Sequence, residues 1–324
     1  MAGRHLKDLI AAYRDRDDLL FRRAAQAIIE EEESKRHTQL ASELRRLLAS
    51  GSAVQMPQFD APMPEPPKDR DSALPLVDLV LPEGYLADLV LDKNLATSLT
   101  DLVEEVGRWP TLDSLSVPRR NRILLYGPPG CGKTSIAEAI AGELGRILVT
   151  VRIESVISSF LGETASNLRR VMDFASTGAF VVLFDEFDSI GKDRDDPTDH
   201  GELRRVVNAV LQLIDRYRGP SILVAATNDN DVLDTALWRR FDEVLEVALP
   251  TRAQMLRLLT RSLRNRTDEA DLRAASIALA GLPYAAGEAL VHTSLRYAIA
   301  DGRTTVTQSD VDQAVTAVRH RRWL

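Results

Sequence analysis

The pattern of apolar positions predicts four parts of the chain: an N-terminal helical segment, a linker, a region of alternating strands and helices, and a C-terminal helical region. Residues 4 to about 50 repeat apolar side chains at three- and four-residue steps, as amphipathic helices do. The repeat fits one long helix or a two-helix hairpin, packed either within the chain or in a coiled coil. It ends at Gly51, so residues 1–51 are predicted to form an N-terminal helical segment. The stripes contain Leu6, Leu9, Ile10, Tyr13, Leu20, Ala24, Ala27 and Ile28, then Leu40, Leu44, Leu47 and Leu48.

Residues 52–74 form the clearest domain boundary in the sequence. Five prolines fall here among Asp, Glu and Ser residues, with few large apolar groups. Because proline interrupts helices and central strands, this stretch is predicted to be an extended linker. The prolines are Pro57, Pro62, Pro64, Pro66 and Pro67.

The rest of the chain divides into an alternating part, residues 75–250, and a helical part, residues 251–324. Helical periodicity runs from Leu76 to Val106 and breaks at Trp109-Pro110. Apolar strands then alternate with helices, which predicts a parallel sheet covered by helices on both faces. The predicted strands are 123–126, 147–151, 180–184, 221–226 and 243–249, with helices near 165–175 and 203–217. The helices predicted after Thr251 are 255–264, 269–279, 288–299 and 309–321.

The strongest chemical signal lies between the first of these strands and its helix. The turn there has the pattern G-x-x-x-x-G-K-T. Its glycines let backbone N–H groups approach phosphates, Lys133 adds a point charge, and the Thr134 hydroxyl is placed to ligate Mg²⁺. The predicted phosphate-binding residues are Gly127, Pro128, Pro129, Gly130, Cys131, Gly132, Lys133, Thr134 and Ser135. Cys131 is either a thiol activated by the helix dipole or an inert small residue.

Two acidic residues follow the apolar strand 180–184, about fifty residues after the phosphate loop. At the carboxyl edge of a parallel sheet, such side chains face the ligand crevice. Asp185 is predicted to hold the metal through its water shell, and Glu186 to orient and deprotonate the attacking water. Asn228 ends the next apolar strand. Its carboxamide either orients the water or touches the γ-phosphate, or the residue simply forms a turn at the strand end.

Paired arginines, Arg239 and Arg240, lie beside two aromatic residues in the run W-R-R-F-D. They form either a surface ion-pair cluster or arginine fingers that reach the phosphates of a neighbouring subunit.

Several motifs occur in an order that resembles the AAA family of ATPases: G-P-P-G-C-G-K-T, S-F-L-G-E-T, L-F-D-E-F-D, E-L-R-R-V-V-N, A-T-N and R-R-F-D, from about Leu76 onwards. The resemblance implies a P-loop α/β domain, a helical lid, ATP with Mg²⁺, and a ring of usually six subunits that remodels protein clients. It assigns residues 127–134 and the pair Asp185 and Glu186 to the Walker A and B motifs, and Asn228 to sensor 1. Residues 202–208 with Arg239 and Arg240 match the second region of homology, and either arginine fits the finger.

The same resemblance assigns Phe160, Leu161 and Gly162 to the first pore loop, which grips an extended polypeptide in the ring's channel. The alternative is that Phe160 is an ordinary core residue. In the lid, residues 281–286 contain no arginine, so no sensor 2 arginine is assigned.

Composition narrows the function further. The net charge of −7 and pI near 5.4 disfavour a nucleic-acid partner. One cysteine and the absence of a long apolar run predict a cytoplasmic protein without a membrane partner. No H-E-x-x-H is present, so any proteolysis would come from a separate protease. The first hypothesis is a protein-remodelling ring with an N-terminal recruitment segment. The alternatives are an ATP-dependent loader or motor on nucleic-acid complexes and an ATP-switched scaffold.

Overall fold

A computed structural model describes most of the chain beyond residue 62 and a short part before it. The described residues are 24–25, 27–29, 63–156, 161–187, 210–228, 238–264, 266–267 and 270–323. The chain divides into two units, Met1–Asp60 and Ala61–Leu324. In the first unit, residues 24–25 and 27–29 are helical, and the rest of the predicted N-terminal helices lies outside the described residues. The elements below belong to the second unit.

Among the described residues, six strands form one sheet in the order β1-β3-β4-β5-β2-β6. They are β1 (Val77–Val80), β2 (Arg122–Tyr126), β3 (Leu148–Val151), β4 (Val181–Phe184), β5 (Ile222–Thr227) and β6 (Glu243–Glu246). Strand β1 is antiparallel to β3, and the other neighbours are parallel. Every residue of β4 and β5 is buried, as in a sheet covered on both faces. The predicted α/β fold with a mostly parallel sheet is confirmed.

The interpretation of Leu76–Val106 as helical throughout is wrong at its start, where β1 lies. Pro75 and Pro82 bracket this strand, and Pro82 prevents a helix from continuing through it. Pairing with β3 then fixes the extended conformation. The α-helix begins only at Lys93, where the Asp92 side chain accepts hydrogen bonds from the first free backbone N–H groups.

Helices cover both faces of the sheet. They are α1 (Lys93–Val106), α2 (Trp109–Ser114), α3 (Lys133–Leu144), α4 (Ile153–Val156) and α5 (Leu161–Thr177), with residues 210–216 also helical. Ile123 and Leu125 of β2 lie in one apolar cluster with Ile136 of α3. Leu124, between them, lies in the other cluster with Val171 of α5. This alternation shows that both faces of β2 pack against helices.

The helical part has its own core. It contains α6 (Arg252–Ser262), α7 (Leu272–Ala278), α8 (Tyr284–Ala300) and α9 (Gln308–Arg319), at the positions of the four predicted segments. Leu259, Leu290 and Val311 are completely or almost completely buried in this core. Helix α8 begins at Tyr284, earlier than the predicted Glu288, because Pro283 occupies its N-cap with extended backbone angles. Within the described ranges, no helix combines the length and apolarity that a bilayer crossing requires.

Residues 63–74 are the described part of the predicted linker. They contain no helix or strand, although Lys68 and Pro75 form an isolated antiparallel bridge. Asp69 lies in the turn between them and accepts a hydrogen bond from the Asn167 side chain of α5 at 2.7 Å. Residues 63–74 therefore contact the sheet domain through this hydrogen bond. The domain boundaries remain predictions.

Candidate functional site

The phosphate loop connects β2 to α3 through three glycines with positive φ. Gly127, Gly130 and Gly132 have φ angles of 143°, 70° and 94°, which side chains other than glycine rarely adopt. A Cβ on Gly127 would lie 2.2 Å from the Val247 carbonyl oxygen, and one on Gly130 would lie 2.9 Å from the Ala285 Cβ. A Cβ on Gly132 would meet nothing within 4 Å. Glycine is therefore required by packing at the first two positions, and by backbone conformation at the third.

Lys133 lies at the centre of the loop. Its side chain is 6% exposed, and its Nζ donates hydrogen bonds to the carbonyls of Gly127 and Pro128 at 2.7 and 2.9 Å. Gly127 and Pro128 thus position the ammonium group through their carbonyl oxygens. The Lys133 ammonium group is therefore held where the backbone N–H groups of the loop can bind an anion.

The turn after β4 presents the two predicted carboxylates. The Thr134 hydroxyl donates to Asp185 Oδ2 at 2.6 Å. Glu186 has a φ of 46°, and its N–H donates to Asp185 Oδ1 at 2.9 Å. Phe187 is buried and bonded through its N–H to the Ala226 carbonyl. This anchored turn leaves the Glu186 side chain exposed in spite of its unfavourable backbone conformation.

These residues surround a cleft of about 300 Å³. Asn228 lies at the end of β5, between the strands that carry the phosphate loop and Asp185. The lining residues are Pro129, Gly130, Gly132, Lys133, Thr134, Ser135, Asp185, Glu186, Asn228, Tyr284, Ala285 and Glu288. The last three come from α8 and were not predicted from the sequence, although Tyr284 lies in the lid segment 281–286, which contains no arginine. The hydroxyl and carboxylate oxygens of Thr134 and Asp185 are the hard ligands that Mg²⁺ prefers.

Cys131 faces away from the cleft. Its side chain is 3% exposed and belongs to the apolar cluster of α1, α2 and α3. Burial raises the pKa of the Cys131 thiol, opposed by the nearby charge of Lys133. The hypothesis of an activated thiol is therefore wrong, and the inert small residue fits.

Arg240 lies near the amino end of β2, whereas the phosphate loop follows the carboxyl end of this strand. The ring of Trp238, which precedes Arg239, lies 4.8 Å from the ring of Tyr126 at that carboxyl end. Asp242, just after the two arginines and Phe241, donates its N–H to the carbonyl of Arg122, the first residue of β2. Arg240 lies 3.9 Å from Asp215, which also contacts Arg122. The length of β2 separates its amino end from the loop by about 13 Å, at roughly 3.3 Å per residue. Arg240 is thus placed away from the cleft of its own chain.

Comparisons with known proteins agree with this geometry. The model of the ATPase family associated with various cellular activities (AAA) matches residues 123–249. An uncharacterized AAA family ATPase, y4kL, from Sinorhizobium fredii is 38% identical over 99% of this chain and 96% of its own length. The chain belongs to the AAA family of ATPases. ATP hydrolysis, expected from the sequence, follows from this membership.

Two further similarities support less about this chain. A proteasome-activating nucleotidase from Thermococcus gammatolerans is 35% identical over 73% of this chain, but this chain spans only 59% of its length. The crystal structure of the FIGL-1 AAA domain covers 76% of this chain and 87% of its own chain, with a TM-score of 0.61 and 22% identity. The similarity to the FIGL-1 structure shows that this chain shares the AAA fold.

Some predicted residues of this AAA ATPase lie outside the described part. These include Phe160 and residues 202–208. Helix α5 begins at Leu161 and includes Gly162, but the side chain of Leu161 is not among those described. The pore loop and the second region of homology therefore stay predictions, as do the roles of the individual site residues.

Proposed function

We propose that this AAA ATPase uses ATP hydrolysis to remodel or unfold protein clients. It acts as a homo-oligomeric ring, with six subunits expected, in the cytoplasm. Residues 1–51 recruit clients, and a separate protease can receive them. The observation that carries the proposal is the cleft in which Lys133, the Thr134–Asp185 pair and Glu186 converge. The protein-directed role is supported by the likeness to a proteasome-activating nucleotidase.

The loop binds the triphosphate of ATP. Backbone N–H groups and the N-terminus of α3 surround the phosphates, and the Lys133 ammonium group exchanges carbonyl contacts for phosphate contacts. Thr134 and Asp185 are the residues that would hold Mg²⁺, Thr134 as a ligand and Asp185 through the water around the ion. When bound, Mg²⁺ would supply positive charge beside the phosphate oxygens.

Glu186 and Asn228 act on the attacking water. Glu186 is exposed in the cleft and accepts the proton of the water, while the Asn228 carboxamide orients it. Their strands β4 and β5 are neighbours, so both side chains approach the same space. The chemistry is an in-line transfer of the γ-phosphoryl group to water.

Arg239 and Arg240 complete the site of a neighbouring subunit. The place of Arg240 near the amino end of β2 supports action in trans, because the cleft of its own chain lies at the other end of this strand. A ring brings the arginines of one subunit to the cleft of the next. Arginine at that point stabilises the charge of the transition state.

Phe160, Leu161 and Gly162 grip the client in the ring's channel. An aromatic side chain gives a large apolar contact with any extended polypeptide, which suits a machine with varied clients. The net charge of −7 supports protein over nucleic acid as the partner.

Trapping with a Glu186→Gln variant tests the proposal. It should bind ATP, hydrolyse it at least about 10²-fold more slowly, and retain protein clients in an ATP-dependent pulldown. Lys133→Ala, which lacks the loop's ammonium group, is the matched control and should retain none. Stimulation of the wild-type ATPase by DNA and not by unfolded protein would instead support a nucleic-acid loader.

A further inference from the structure

A segment that precedes the phosphate loop by more than forty residues ties helix α5 to strand β3. This segment, residues 67–80, which we call the brace, folds back on itself and ends in β1. The N–H of Leu76 donates to the Pro67 carbonyl at 2.8 Å, and the N–H of Asp69 donates to the Leu74 carbonyl at 2.9 Å. Strand β1 pairs along its whole length with β3. The second part of the brace therefore belongs to the sheet itself.

The first part of the brace contacts α5 through two hydrogen bonds. The Asn167 side chain donates to Asp69 Oδ2 at 2.7 Å, and the Arg170 guanidinium donates to the Lys68 carbonyl at 2.7 Å. The other carboxylate oxygen, Asp69 Oδ1, accepts a hydrogen bond from the Ser72 N–H within the turn. One oxygen of this carboxylate thus holds the turn in shape, and the other attaches it to α5.

These bonds lie beside the first half of α5, whose described buried side chains are polar. The buried apolar side chains described in this helix begin at Leu168 and continue with Val171, whereas Thr164 and Asn167 are the buried ones described before them. Apolar packing opposes the separation of two surfaces but has no preferred direction. Hydrogen bonds require defined distances and angles. The bonds from Asn167 and Arg170 therefore fix the position of α5 along the sheet.

The sheet side of the brace is apolar and firmly packed. Leu76 and Val77 are buried in the same apolar cluster as Val171 of α5. Arg152, directly after β3, donates its N–H to the Leu76 carbonyl at 2.9 Å. In the chain, β3 precedes the residues proposed to grip clients, and α5 begins with the last two of them. A shift of α5 relative to β3 must therefore break contacts of the brace.

We propose that the brace positions the client-gripping start of α5, with Asn167 and Arg170 as its positioning residues. A client drawn through the ring's channel pulls on Leu161 and Gly162, and the brace transfers this force to β3. Without the two hydrogen bonds, α5 shifts under load, so the client slips instead of unfolding. This inference rests on the assignment of Leu161 and Gly162 to client gripping under the proposed function.

Removal of either hydrogen bond should slow client unfolding without slowing ATP hydrolysis. The probe is green fluorescent protein with an unstructured tail, whose loss of fluorescence is followed with a trap for unfolded protein, alongside basal phosphate release. Asn167→Ala leaves the Asp69–Ser72 bond in place and should unfold this probe roughly 5- to 10-fold more slowly, with basal ATPase activity within about twofold of wild type. Arg170→Ala should behave in the same way. Arg169→Ala removes the same charge at an exposed neighbouring position and should match wild type.

The exchange Asp69→Asn/Asn167→Asp distinguishes positioning from general damage. Asn at position 69 still accepts from Ser72 and can donate to a carboxylate at position 167, so this double variant should recover most of the unfolding rate. The single variant Asn167→Asp, measured below its melting temperature, should not. If the double variant is as slow as the single variant, or if unfolding and basal ATPase activity fall together, the positioning role is wrong.

Hydrogen exchange tests the brace without any client. The amides of residues 165–168 should exchange about tenfold faster in Asn167→Ala than in wild type, while those of α3 keep their protection. Unchanged exchange in residues 165–168 would overturn the brace even if clients are unfolded. A wild-type protein that unfolds no probe would instead overturn the proposed function, and the exchange rates would still decide whether the brace holds α5.

Discussion

The hydroxyl of Thr134 and the carboxylate of Asp185 lie 2.6 Å apart, although 51 residues separate them in the chain. Thr134 belongs to the first turn of α3, and Asp185 directly follows β4. Their contact joins the phosphate loop to the strand that carries Glu186. It gives the cleft a pair of oxygen ligands before any metal binds.

Asp185→Asn should raise the Mg²⁺ concentration for half-maximal ATPase activity by about 10–100-fold. This is the usual effect of losing a group that orients metal ligands from the outer shell. The measurement is steady-state phosphate release against free Mg²⁺. Thr134→Ser keeps the hydroxyl and should remain close to wild type, whereas Thr134→Val should behave like Asp185→Asn. An unchanged Mg²⁺ requirement in Asp185→Asn would remove the metal role.

Loss of both Arg239 and Arg240 should leave ATP binding intact and abolish hydrolysis. The reason is that the missing charge belongs to the neighbour's cleft. Mixing this double variant with Lys133→Ala subunits should restore activity, because some mixed interfaces pair an intact loop with intact arginines. If mixed rings form and no activity returns, the role of the arginines is structural, as in the ion pair of Arg240 with Asp215.

The hydrogen bond between Asp69 and Asn167 should contribute to the stability of the sheet domain. Asn167 is 2% exposed. The hydrogen bond from the Ser72 N–H, followed by the one from the Asn167 side chain, holds the Asp69 pKa well below its usual range. Asn167→Asp puts two carboxylates in contact and should lower the melting temperature by several degrees.

The exchange Asp69→Asn/Asn167→Asp restores a donor and an acceptor, and it should recover most of the lost stability. Asp71→Asn, an exposed change in the same turn, is the control. If the exchange is no more stable than Asn167→Asp alone, the contact does not hold the segment.

Asp310 should stabilise the lid above about pH 4 and lose this effect in acid. Arg303, and then Thr307, lower the Asp310 pKa in the folded protein. Because the Asp310 pKa is lower in the folded than in the unfolded protein, its ionised carboxylate stabilises the lid above the unfolded pKa of about 3.9. Protonation removes this stabilisation as the pH falls below that value. Asp310→Asn should therefore melt several degrees below wild type at pH 7, with a smaller difference near pH 3. The exposed Asp312→Asn is the control, and a difference independent of pH would exclude the ionic contribution.

The sequence pattern identified the sheet and the phosphate loop because both depend on local order. Wholly apolar strands, and glycines at fixed spacing before a helix, are visible in a single stretch of residues. Strand β1 was missed because its extended form depends on pairing with β3, far along the chain. Tyr284 and Glu288 were missed for a similar reason, since only the folded lid brings them to Gly130.

The direction of individual side chains could also not be predicted from the pattern of apolar and polar residues. Cys131 lies within the phosphate loop, and helix-dipole charge favoured an activated thiol there, but the folded loop turns the thiol into the apolar cluster. The positive φ of Glu186 likewise has no sequence signal, and it occurs next to Phe187, whose N–H donates to the Ala226 carbonyl of β5.

Phe160→Ala separates client gripping from ATP chemistry. Phe160 directly precedes Leu161, the first residue of α5. If it grips clients, Phe160→Ala should keep basal ATP hydrolysis within a few-fold of wild type and preserve the melting temperature. Unfolding of a model client should nevertheless collapse, because the contact that converts loop movement into pulling is lost.

If Phe160 is instead a core residue, the same Phe160→Ala sample should give the opposite result. Truncating a buried phenylalanine costs roughly 3–5 kcal/mol, which lowers the melting temperature and the ATPase activity together. Phe160→Tyr sharpens the distinction, since an exposed gripping ring tolerates a hydroxyl group, whereas a packed apolar site offers it no partner. Melting temperature, basal ATPase activity and client unfolding of both variants therefore decide the role of Phe160. A destabilised Phe160→Ala protein with failing ATPase activity would remove the main sequence argument for polypeptide threading.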